Sequence, residues 1–190
     1  MKKLLLLPIS ALILIAVAGC GGGAPADTND SNLNGAPAEI LGELADMIQT
    51  DAPATFDSAI TADNCKGLGL TSEEFDKYVS DAVLSTAAIS TFAHEVALFS
   101  AKDPASALEI KKLIAANYDS NKWICVFPEK SCVTDSGNYV LLAVGRSEYI
   151  DALTAAFSEL AGTTGEIDVF FSGPAGGVSP GGPGGLLLPG

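Results

Sequence analysis

Four cysteines and one histidine are the residues of this 190-residue chain best suited to chemistry: Cys20, Cys65, Cys125, Cys132 and His94. A thiolate can act as a nucleophile, bind a soft metal or close a disulfide. Cys125 and Cys132 enclose six residues, Val126 to Ser131. A bridge across so short a loop would stabilise the fold by about 2–3 kcal/mol in the chain-entropy picture. Three reduced, buried thiols at 65, 125 and 132 fit the same spacing, and both readings stand. A cysteine-rich zinc site asks for ligands spaced more closely than these. His94 stands beside Glu95 at a strand entrance, where a surface or hydrogen-bonded histidine is the ordinary occupant. A Ser-His-acid triad needs a presented nucleophile, and no serine stands at a strand-to-helix elbow. Ser136 belongs to a hairpin turn. Glu73, Glu74 and Asp76 cluster at the start of a helix, where the dipole favours anions without any catalysis. Asp27, Asp30 and their Asn neighbours lack the spacing of a calcium loop. The glycine clusters at 21–23 and 181–185 join no strand to a helix and make no phosphate cradle. No catalytic set, metal site or cofactor is expected.

Cys20 is different because of what precedes it. Met1-Lys2-Lys3 is cationic, and Leu4 to Ala18 is a run of fifteen mostly apolar residues interrupted by Pro8 and Ser10. That is the layout of a secretory signal, and it falls short of the ~20 apolar residues a spanning helix needs. The run ends in Val17-Ala18-Gly19-Cys20, which resembles the lipobox of bacterial lipoproteins. In that family the thiol receives a diacylglyceryl group and the chain is cut just before it. The resemblance implies a signal peptide over 1–19, a lipid handle at Cys20 and a place on the extracytoplasmic face of a bacterial membrane. An ordinary signal peptide or an uncleaved anchor is the alternative. Each buried CH₂ contributes about 0.8 kcal/mol, so two or more acyl chains hold durably where one does not.

Cleavage would leave 171 residues carrying 8 basic and 23 acidic side chains, a net charge of −15. Such a surface repels nucleic-acid phosphates and anionic headgroups. Nucleic-acid binding is therefore excluded, and the membrane is expected as a partner only through the lipid.

The elements that must position any site follow from periodicity. Residues 20–36 hold the lipidated cysteine and a small, polar tether with no apolar period. One α+β domain is expected over 37–172. Ile40, Leu41, Leu44, Met47 and Ile48 recur on one face of a helix that Asp51-Ala52-Pro53 ends. In the ambiguous stretch 54–70, Phe56 and Ile60 are core candidates. Thr71-Ser72-Glu73-Glu74 offers a capping box, and the helix it opens would bury Phe75, Tyr78, Val79, Ala82 and Val83. Residues 88–92 and 95–100 read as extended. Asp103-Pro104 caps a helix with Ala107, Ile110, Leu113 and Ile114 inside and Lys111 and Lys112 outside. Trp123 and Phe127 pin a loop over 119–130. Gly137-Asn138 between two β-prone runs signals a hairpin. Ser147 would cap a last helix burying Ile150, Leu153, Phe157 and Leu160, and Ile167, Val169 and Phe171 alternate in a final strand.

From residue 95 the order is βαββαβ. It predicts an antiparallel sheet with its helices on one face, a ferredoxin-like core preceded by two further helices. Residues 173–190, with eight Gly and four Pro, are expected to be a disordered tail.

Three stretches carry a family resemblance: Gly69-Leu70-x-x-Glu73-Glu74-Phe75, Glu95 to Phe99 leading into Lys102-Asp103, and Gly137 to Leu142. Over roughly 38–161 the chain resembles bacterial lipoproteins carrying the domain of unknown function 4358. The resemblance implies export and lipid anchoring and brings no site residues or activity with it. Lipobox, tether and lack of catalytic spacing together favour a lipid-anchored module that binds an envelope protein or a cell-wall component. An extracytoplasmic enzyme or thiol-redox accessory using the three remaining cysteines is the alternative.

Overall fold

The computed structural model describes residues 31–89, 92–123 and 126–172. Pro37–Met47 forms α1, with Pro37 in its first turn and Ile40, Leu41 and Leu44 buried. An edge strand β1 (Thr55–Ala59) and a short 3₁₀ turn (Cys65–Leu68) follow. The capping box then opens α2 (Ser72–Tyr78): Glu74 N–H donates to Thr71 Oγ1 at 3.2 Å, and Thr71 N–H donates to the Glu74 carboxylate at 2.8 Å. Next come β2 (Val79–Ala87), β3 (Glu95–Ala101) and α3 (Pro104–Asn117). The hairpin of β4 (Lys130–Ser136) and β5 (Tyr139–Gly145), α4 (Ser147–Ala161) and β6 (Asp168–Ser172) complete the chain. The Asp103 carboxylate caps α3 by accepting from Ser106 N–H at 2.7 Å, and Gly137 turns the hairpin at φ +56°. No helix among the described residues is long and apolar enough to cross a membrane.

All six strands form one antiparallel sheet in the order β1-β2-β3-β5-β4-β6. The α+β class and antiparallel sheet are as expected, but the helices divide between the two faces. α2 and α3 cover a core of Val79, Ala97, Phe99, Ile110, Ile114 and Leu142. α1 and α4 cover an opposite core of Leu44, Val96, Leu98, Leu141, Leu153 and Phe157. The reason is topological. The β3-α3-β4 and β5-α4-β6 crossovers each skip one strand in the same direction along the sheet, while β3 and β5 run oppositely. Crossovers of one hand then place their helices on opposite faces. A ferredoxin-like sheet avoids this by returning its last strand beside its first. Here β2 fills that position next to β3, and β6 pairs with β4 at the far edge.

Several local expectations are corrected. Val79, Ala82 and Val83 lie in β2, because α2 stops at Tyr78 and the chain turns extended at Val79 (φ −92°, ψ 137°). Strand pairing on both sides outweighs the helical spacing of those residues. Phe56 is 69 % exposed, since it sits on an edge strand and points to the face opposite Asp57, while Ile60 is core as expected. Lys111 is buried on the sheet side of α3. Ser147 caps nothing: it is the first residue of α4, and its N–H is met by the Glu129 carboxylate at 3.0 Å. In β6 the irregular pairing opposite Ser131 and Cys132 sets Phe170 against Tyr118 (ring centroids 5.3 Å) and leaves Ile167 and Val169 exposed. Residues 31–36, expected to end the tether, lie on the domain. Asn32 N–H donates to Ala161 O at 2.8 Å, and Tyr139 Oη donates to Gly35 O at 2.9 Å.

Candidate functional site

Strand alternation puts His94 on the α1/α4 face with Val96 and Leu98, and Glu95 on the other. That parity builds one of the cavities among the described residues. On the His94 side, Asp57 and Ser85 sit opposite each other in the β1–β2 register and face the same way. α1 and α4 roof the sheet there, but α1 offers only Gly42 and Ala45 beside Leu41 over this corner. What remains is a space of about 150 Å³ between α1, the segment at Ala52-Pro53, the β1–β2 edge and the first turns of α4.

His94 and Tyr149 form its back wall. His94 is 3 % exposed, and its ring meets Tyr149 nearly edge-on, with centroids 4.9 Å apart. Burial, helped by the positive Arg146 guanidinium, pulls its pKa from 6.5 down to about 4. The imidazole is therefore neutral at pH 7 and presents one donor and one acceptor. Burial also raises the Tyr149 pKa, keeping the phenol protonated. Among the described residues neither ring spends a hydrogen bond on another protein group. Ser85, Thr55 and Asp57 supply the remaining polar lining. Ser85 lines the same cavity as His94, but among the described residues no hydroxyl or thiol is hydrogen-bonded to the ring.

Two polar clusters on the opposite face pair charge with charge, although both Asp135 carboxylate oxygens are buried without a hydrogen-bond partner. Lys111 Nζ lies 3.0 Å from Asp135, 3.5 Å from Asp168, and donates to Glu166 O. Lys122 donates to Glu95 at 2.7 Å and to Gly67 O at 3.1 Å, and stands 4.5 Å over the Tyr118 ring. Burial pushes the Glu95 pKa up, and Lys122 works against that rise. Trp123 Nε1–H donates to Tyr118 Oη at 3.2 Å.

The residues singled out in the sequence do not converge. Cys20 and Cys125 lie outside the described residues. Cys132 is a free thiol buried beneath the α1/α4 layer, its pKa raised by burial to about 11. Cys65 is free and buried in the other core, where it donates to Leu70 O at 3.4 Å. Glu74 is occupied by its capping box. The family-like stretch at 69–75 has a packing reason. Gly69 ends the 3₁₀ turn at φ +95°, and a Cβ there would come within 3.0 Å of the Ile114 Cα and the Tyr118 amide. Among the described residues no three His, Cys, Asp or Glu side chains gather in a way that could hold a metal ion. The His94 cavity was missed in the sequence because it is assembled from five segments. Its one legible signal is the alternation that gives His94 the parity of Val96 and Leu98. Neither a protein-family model, a curated protein nor a solved structure matches this chain.

Proposed function

We propose that this chain is an exported, lipid-anchored envelope protein whose α+β body is a binding module. The observation that carries the proposal is Val17-Ala18-Gly19-Cys20 at the end of a short apolar run behind Lys2-Lys3. The same proposal includes kinship with the lipoproteins of the domain of unknown function 4358. Eleven residues, 20–30, separate the sulfur from the first described contacts of the body. Fully extended, eleven residues span at most about 36–40 Å, a length well beyond the ~8 Å Debye length within which anionic headgroups would repel an acidic domain. An envelope protein or a cell-wall component within that radius is the partner this reading asks for. Labelled palmitate is expected to enter the protein, and Cys20→Ala to abolish both labelling and cleavage. Unchanged maturation of that variant would overturn the proposal.

The thiol-redox alternative draws no support from the two thiols described. Cys65 and Cys132 are buried on opposite sides of the sheet with raised pKa values, the reverse of the exposed, low-pKa setting a reactive cysteine needs.

A further inference from the structure

We propose that the cavity walled by His94 and Tyr149 is a binding site for a small, uncharged, hydrogen-bonding molecule of about six to eight heavy atoms. The inference rests on reading the body as a binding module and names what one of its sites takes. Size comes first. An empty apolar cavity of about 150 Å³ is known to hold benzene, and the space here has the same volume, ≈ 150 Å³. Chemistry comes second. The His94 side chain, 3 % exposed, makes no hydrogen bond among the described residues and lines this space together with Tyr149 and Ser85. Its ring nitrogens and the Tyr149 hydroxyl are not among the fully buried unpartnered atoms, so they stay accessible to whatever fills the space. Neutral imidazole, phenol and hydroxyl groups offer donors and acceptors without charge. Asp57 lies at one side of the cavity and the Arg146 guanidinium acts on His94 from another. Both side chains are exposed and of opposite sign, so neither gives the space a dominant charge.

The helix above the cavity adds an independent observation. Gly42 sits in the interior of α1, where glycine costs roughly 0.5–1 kcal/mol relative to alanine. A Cβ built there meets nothing within 4 Å. Packing does not require glycine, and its effect is to leave the roof open.

Phenol is a suitable probe, with toluene and benzoate as its apolar and anionic counterparts. The single histidine of the chain makes the His94 ring resonances an unambiguous reporter in the full-length protein held in detergent. Phenol should shift them saturably, while toluene and benzoate bind at least fivefold more weakly. Gly42→Leu, which reaches across the roof, should abolish the shift. Tyr149→Phe, which keeps the ring and removes one hydroxyl, should weaken phenol about fivefold, the effect of losing one hydrogen bond. Toluene binding as tightly as phenol, full phenol affinity in folded Gly42→Leu or in Tyr149→Phe, or an unmoved His94 signal would each overturn the assignment. These outcomes are independent of whether Cys20 is acylated, so failure of the cavity and failure of the anchor are separable.

Discussion

The two faces of the sheet treat buried polarity in opposite ways. Under α3, charge is met by charge: Lys111 lies between Asp135 and Asp168, and Lys122 grips Glu95 while resting on Tyr118. Under α1 and α4, His94 and Tyr149 face a space instead of a partner. A polar group in the interior either finds its complement in the protein or waits for one from outside. The Lys111 cluster ties α3 to β4 and β6, and Lys122 reaches across to β3. The arrangement around His94 leaves the β1 end able to accept a visitor.

The largest effect should come from breaking the closed side. Asp135 is 1 % exposed and its counter-ion Lys111 7 %. Lys111→Met strands that carboxylate and should cost about 3–5 kcal/mol, since an uncompensated buried charge is far worse than a missing pair. Replacing both, as Lys111→Met with Asp135→Leu, should recover most of the loss. Urea midpoints of the two variants check this. A double variant as unstable as the single would mean that the aspartate does more than answer the lysine.

Protonation probes the open side and should matter somewhat less. The His94 pKa falls from 6.5 to about 4 on folding, so the unfolded chain takes up a proton over that interval while the folded one does not. The histidine therefore costs nothing above pH 6.5, and its contribution turns increasingly unfavourable as pH drops to 4. The full depression corresponds to about 2–3 kcal/mol once partial solvent access is allowed for. His94→Gln should unfold with little change at pH 7 and lose less stability than the parent between pH 6.5 and pH 4.5. Parallel pH profiles for the two proteins would remove the distinction between the faces.

How much of this was legible depends on whether the signal is local. The Asp103 cap, the Thr71–Glu74 box and the Gly137-Asn138 turn each close within a few residues, and each forms as read. What failed needed partners far along the chain. Val79 and Val83 become strand because β1 and β3 flank them. Lys111 turns inward because Asp135 and Asp168 arrive from strands that follow α3. The division of helices between two faces hangs on which sheet edge β6 joins, a choice made by β2 occupying the other. The cavity is the least local feature of all, and a histidine beside a glutamate hints at it only through strand parity.

The smallest effect is also the most direct comparison of packing with function. Gly42→Ala adds a methyl that touches nothing within 4 Å and removes the entropic cost of an interior helical glycine. It should stabilise the fold by about 0.5–1 kcal/mol, seen as a small rise in melting temperature at constant m-value. The corresponding change at Gly69 should do the opposite, because its φ of +95° and the nearby Ile114 and Tyr118 backbone leave no place for a Cβ. One glycine is thus demanded by the packed face and the other is a concession on the open face. If Gly42→Ala were destabilising instead, α1 would be using that position for contact, and the roof of the cavity would be part of the core.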